Sequence, residues 1–269
     1  MFKDITIGQY YPVDSPIHRL DPRTKILGTT LFIIALFTIN NPWGYLLALV
    51  FLGGVVLASK VPMGYVLKGL KGIAVLVLVT VTLNLFITPG TPILQFYFLT
   101  ITKEGLVSSI VMAVRLIFLV AGSSIMTLTT SPIDLTDGTE KCLKVIPFIK
   151  RYAHDLSMMM SIALRFIPTL MEETDKIIKA QKARGADLET GSLVKRAKAL
   201  IPILVPLFIS AFHRADELAI AMEARCYRGG DNRTKMKVLH YTKKDYIAWG
   251  VLLVYLILSI GTTQLPWWI

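Results

Sequence analysis

Five apolar stretches, near residues 26–39, 43–58, 69–88, 105–129 and 246–265, dictate what this chain can become. The last three reach the roughly 20 residues that a helix needs to cross a 30 Å hydrocarbon core. The first two are shorter and must borrow flanking residues such as Thr24 and Asn40 at the interface. Inside such a core only helices or closed barrels satisfy the backbone. The 93–101 stretch is too short to cross as a helix and reads as an extramembrane or interfacial piece. Of the 269 residues 54% are hydrophobic and only 17% charged, and the mean hydropathy is +0.58, well outside the range of soluble domains. The expected class is an all-α integral membrane protein with about five transmembrane helices. The first apolar run follows about 25 largely polar residues and has no small-residue cleavage site, so no cleavable signal peptide is expected.

The net charge of +11 is unevenly placed. Of the 29 Lys and Arg, 20 fall between Ser131 and Lys244, together with 13 of the 18 acids. That mixture suits a water-facing part with a basic excess and argues against a nucleic-acid partner. Three segments follow: 1–130 with four spans, 131–244 as a cytoplasmic region, and 245–269 as the last span. Basic residues lie before the first span (Lys3, Arg19, Arg23, Lys25) and after the second (Lys60, Lys68, Lys71). The loops after the first and third hold only Lys103. By the positive-inside rule the amino terminus and the long insert are cytoplasmic and the carboxyl end is outside, with Trp267 and Trp268 as interface anchors. Cys142 and Cys226 form no metal or disulfide pattern and read as free cytosolic thiols.

Two runs in the insert, 156–171 and 197–212, are apolar but only about 16 residues long. If both crossed, the lysine-rich stretch between them would lie outside. They carry Arg165 with Pro168, and Lys198 with Pro202 and Pro206. Long, kinked amphipathic helices at the cytoplasmic membrane face fit better. Each has a seam stepping by threes and fours, which places its members on one stripe. Leu156, Met160, Ala163, Ile167, Leu170, Thr174, Ile177, Gln181 and Arg184 form the first. The second runs Leu193, Ala197, Leu200, Leu204, Phe208, Ala211, Ala215, Leu218, Met222 and Arg225. Both end alike, in Ala183-Arg184-Gly185 and Ala224-Arg225-Cys226. Arginine at a helix C-terminus also complements the macrodipole, for about 0.3–1 kcal/mol. Repetition of the whole ending brings a tip aimed at a partner level with that role, and both readings stay open on spacing alone.

No G-x-x-x-x-G-K-[ST] string occurs, so this chain carries no ATP cradle of its own. The four histidines show no metal spacing, and His213-Arg214-Ala215-Asp216-Glu217 points around a helix rather than into one site. No catalytic residue, metal ligand or cofactor is expected. Arg115 is the one charge deep in a span, with no acid at that depth. It binds carbonyls, lies near the outer interface, or serves transport.

Polar strings spread along nearly the whole chain resemble the transmembrane T component of energy-coupling factor (ECF) transporters, the ABC-type importers of vitamins and micronutrients. They are Ser15-Pro16-Ile17-His18-Arg19-Leu20-Asp21-Pro22-Arg23-Thr24-Lys25, Asn84-Leu85-Phe86, Leu128-Thr129-Thr130-Ser131-Pro132, Ala163-Leu164-Arg165-Phe166-Ile167-Pro168, and the two tip regions. In one respect the chain departs from the family, which has Ala-Arg-Gly in both tips: here the second ends in Cys226. The resemblance implies that Ala183, Arg184, Gly185, Ala224, Arg225 and Cys226 dock two ABC-type ATPase subunits. It also implies that the apolar stripe, with Leu204, Phe208 and Ala211, holds substrate-binding S components. ATP would be bound by the partners alone. A stand-alone secondary transporter and a membrane-embedded enzyme are the alternatives; the first should show internal repeats, the second a cluster of acid, His or Cys groups.

Overall fold

Proline sets where three helices begin, since its fixed φ suits the first turn and its missing N–H costs nothing there. The computed structural model describes residues 10–39, 41–96, 99–148, 150–186, 193–229 and 239–263. Helix α1 is Pro22–Thr38, α2 Pro42–Ser59, α3 Met63–Ile87, α4 Lys103–Thr129, α5 Pro132–Leu143, α6 Lys150–Ala183, α7 Leu193–Ala224 and α8 Lys243–Thr263. Asp21 caps α1 by accepting from Arg23 N at 2.9 Å, and Thr102 caps α4 by accepting from Gly105 N at 3.0 Å. The 93–101 stretch contributes to an antiparallel hairpin, β1 (Pro92–Phe96) against β2 (Leu99–Thr102), between α3 and α4. Trp267 and Trp268 lie outside the described residues.

Residues group into two compact units, one within 140–237 and one comprising 8–139 and 238–269. The second unit is a bundle. Phe32 and Leu36 of α1, Ala48 and Leu52 of α2, Phe118 and Ile125 of α4, and Leu252 and Tyr255 of α8 form its buried core. Phe51 stacks on Tyr255 with ring centroids 4.4 Å apart. Gly122 lets α4 approach Phe32, whose ring would lie 2.8 Å from any added Cβ. Helix α3 buries only Val66 and presents Val75, Leu76 and Leu78 outward, as a lipid-facing helix must.

Among the described residues, five helices are long and apolar enough to cross a membrane: α2, α3, α4, α8 and Lys198–Ala224 of α7. The sequence reading counted α1 in place of α7. Helix α1 has 17 residues, about 25 Å, because Pro22 starts it and Asn41-Pro42 already open the next helix. Apolar composition brings α7 into the set even though Pro202 and Pro206 interrupt its ladder.

Arg115 is settled by the bundle. Its Nη2 donates to Ile39 O at 3.0 Å and its Nε to the Tyr45 hydroxyl at 2.9 Å. It therefore serves as a donor for the carbonyl end of α1, about 21 Å along α4 from Thr129. Carbonyl binding was one of the expected alternatives.

Candidate docking site at two helix tips

Both long helices of the 140–237 unit end in the same hydrogen-bond pattern. On α6, Ala186 N donates to Gln181 O and Gly185 N to Lys182 O, both at 3.0 Å. On α7, Tyr227 N donates to Met222 O at 3.0 Å and Cys226 N to Glu223 O at 2.8 Å. These paired bonds are Schellman motifs, which require a left-handed residue just past the cap. Gly185 holds that position at φ 85° and Cys226 at φ 54°. Cysteine thus occupies a backbone state that glycine enters freely and other residues enter at a cost of about 1–2 kcal/mol. The departure from Ala-Arg-Gly concerns backbone conformation first; no atom lies within 4 Å of a Cβ added at Gly185.

In both tips the arginine is the capping residue. Arg184 and Arg225 are exposed, and neither makes a side-chain hydrogen bond or ion pair among the described residues. Each fork of donors is therefore open for a carboxylate.

What holds the tips apart is a polar seam between α6 and α7. Ser210 Oγ donates to Glu173 Oε1 at 2.5 Å, and Arg214 Nη2 to Glu173 Oε2 at 3.2 Å. The Ser210 hydroxyl, with the Arg214 guanidinium, holds the Glu173 carboxyl below the usual carboxylate range. Gln181 Nε2 donates to Pro202 O at 3.3 Å. That carbonyl lacks its helical donor because Pro206, four residues on, has no N–H. As numbering rises on α6 it falls on α7 across these pairs, so the helices run antiparallel. Arg184 lies about 17 Å and Arg225 about 22 Å along its helix from the Glu173–Ser210 contact, in opposite directions.

The expected stripe residues remain uncovered: Leu204 is 47% and Phe208 62% exposed, and Ala211 is half-buried. In this unit the only buried apolar side chains among the described residues are Ala153 and Ile203. Sequence reasoning missed three polar anchors. Glu140, with its side chain 1% exposed, pairs with Lys144 at 2.7 Å and accepts from Ser157 Oγ at 3.0 Å. Glu173 is the second anchor. Asp245, fully buried, accepts from Asp21 N and Thr242 N at 2.8 Å and from Thr242 Oγ1 at 2.7 Å. An acid next to an apolar run was the only available hint for Asp245; Glu173 sat in plain view beside the seam.

The string that opens α1 is likewise a structural knot. Arg23 forks onto Asp21 at 3.0 and 2.9 Å and reaches Leu239 O at 3.1 Å. Lys25 Nζ donates to His18 O at 3.2 Å and Thr129 O at 2.8 Å.

Residues 14–236 match the family described as CbiQ, cobalt transport protein. The chain is 57% identical to the energy-coupling factor transporter transmembrane protein EcfT of Clostridium kluyveri, over 100% of this chain and 99% of the relative. It is 52% identical to the protein of the same name from Ruminiclostridium cellulolyticum, over 95% of this chain and 96% of the relative. A third, from Thermosediminibacter oceani, is 54% identical over 96% and 98%.

Proposed function

Because the chain belongs to the CbiQ family and is a transmembrane component of an energy-coupling factor transporter, we propose that it is the scaffold through which two ABC ATPases drive a substrate-binding S component. The twin tips carry this reading: two open arginine forks, in matching Schellman caps, face away from one antiparallel helix pair. Two like ATPase subunits would offer two like grooves, and a carboxylate in each would meet Arg184 and Arg225. Ala183, Gly185, Ala224 and Cys226 are small enough to let the helix ends enter. ATP would be bound and hydrolysed by those partners, and this chain would do no chemistry itself.

Closure of the ATPases would move the tips, and the Glu173 and Gln181 contacts would pass that motion across the helix pair. An S component held on the uncovered apolar stripe at Leu204, Phe208 and Ala211 would tip with it and carry its ligand inward. The setting is the cell membrane, which this multi-pass chain crosses several times. The lysine and arginine asymmetry puts the amino terminus and the 131–244 region in the cytoplasm, with α1, α2, α3, α4 and α8 crossing and the carboxyl end outside. Helix α1 crosses despite its length, since its Phe32 and Leu36 pack in the same core as α4 and α8.

Purification from native membranes tests the assignment. Two ATPase subunits and a small, very hydrophobic protein should accompany the chain, and the reconstituted set should import ligand only with ATP. Recovery of a homo-oligomer alone, or ATP hydrolysis by the isolated chain, overturns it.

A further inference from the structure

One groove in the bundle belongs to none of this. It encloses about 660 Å³ between α1, α2, α4 and α8, within the range of sites that hold small molecules. Gly28, Gly54, Phe51 and Trp249 form part of its apolar wall, and among the described residues no acid lines it. At Gly54 nothing lies within 4 Å of where a Cβ would be, so the missing side chain is what keeps the groove open. Its rim faces the surroundings of the bundle: Val50 is 67% and Val251 53% exposed.

Length and charge identify the occupant. From Lys244 to Val251 along α8 the groove runs about 10 Å, within the roughly 15 Å half-thickness of a 30 Å core. It therefore spans much of one leaflet and stops. Two cations line the end of this apolar strip. Lys25 is already engaged by the His18 and Thr129 carbonyls. Lys244 is exposed and makes no hydrogen bond or ion pair among the described residues. The nearby acid, Asp14, lies within electrostatic range of both Lys60 and Lys244 and is held by Arg19 in an ion pair.

We propose that this groove binds an anionic phospholipid, one acyl chain lying along it and the phosphate at Lys244. An amphiphile with a negative head is the ligand whose polarity follows the groove from end to end. A zwitterionic lipid would fill the apolar part but bring its own cation beside its phosphate, which weakens the attraction to Lys244.

Trp249 makes the site readable. In full-length protein with Trp43, Trp267 and Trp268 changed to Phe, vesicles of phosphatidylcholine carrying brominated phosphatidylglycerol should quench Trp249. The apparent affinity should exceed that for brominated phosphatidylcholine about fivefold, the preference one lysine near a lipid headgroup supplies. Lys244→Gln should bring that preference close to one while leaving quenching by phosphatidylcholine unchanged. Gly54→Leu should reduce quenching by both lipids, since it fills the groove without meeting a neighbour. Equal quenching by the two lipids in the unaltered groove would mean ordinary annular lipid and overturn the site. Persistence of the preference in Lys244→Gln, or unchanged quenching in Gly54→Leu, would do the same. Loss of the preference on adding inorganic phosphate would reassign Lys244 to a soluble anion.

Discussion

The bundle and the α6–α7 pair treat charge in opposite ways. In the bundle, Asp245, Arg23, Lys25 and Arg115 each find partners inside the fold, and the exposed side chains along the middle of the helices, such as Val75, Leu78 and Val251, are apolar. Among the described residues of the helix pair, Glu173 and Arg214 form an ion pair across the two helices, while Arg184 and Arg225 stand open at the tips and Leu204 and Phe208 lie uncovered along α7. An apolar surface without charges is what lipid accepts. Uncovered apolar side chains on helices tipped by unpaired cations suit protein partners, where a desolvated pocket and a carboxylate can both be supplied. The bundle is finished in the membrane; the helix pair is finished only by what docks on it.

The sharpest way to break this comparison is at the tips. The double variant Arg184→Glu and Arg225→Glu should abolish copurification with the ATPases, because unpairing a desolvated charge typically costs about 2–5 kcal/mol at each site. Its thermal unfolding should match the unaltered chain. Continued copurification and uptake would return both arginines to the macrodipole role.

Within the bundle the largest effect should come from Asp245→Ala. It strands two backbone N–H groups and a hydroxyl, at about 3 kcal/mol or more for hydrogen bonds to a buried charge. A clear loss of thermal stability in detergent should follow. Asp216→Ala, on the exposed face of α7, should change stability by less than about 0.5 kcal/mol. Similar losses from the two would erase the contrast between units.

At the second tip, Cys226→Gly should relieve the left-handed strain and stabilise the Schellman cap by about 1 kcal/mol. Slower amide exchange at residues 226 and 227 is the measurement, since a helix end frays locally. Unchanged exchange would mean the cysteine is held there at no cost.

The smallest effect concerns pH. A carboxyl held below its usual range stabilises the folded contact fully above the ordinary value of 4.5, and that contribution is lost as pH falls through the folded pKa. The Glu173 contact to Ser210 and Arg214 should therefore loosen only in acid, once the pH has fallen below the ordinary carboxyl value. A cysteine pair crosslinking α6 to α7 at this point should restore rigidity there, and Glu173→Gln should remove the acid dependence.

Much of this was present in the chain before folding. Apolar runs of span length, the threes-and-fours seams and the repeated Ala-Arg-small endings are local patterns, and helices form from local patterns. The hairpin between α3 and α4, by contrast, falls where only a short interfacial piece was legible. Which helices count as long and apolar enough to cross also shifted, because α1 is held to 17 residues by the prolines around it while α7 carries enough leucine and isoleucine to qualify. The roles of single polar residues were out of reach. Asp245 meets Asp21 across 224 residues and Arg115 meets Ile39 across 76, and nothing in a periodic pattern encodes such partners. The sequence alone determined an all-helical membrane chain with two matched, arginine-tipped helices, since backbone hydrogen bonding and side-chain period act over a few residues. Only the tertiary structure decided which charges are satisfied within and which stand open, because a buried charge is stable only beside partners that folding brings from far along the chain.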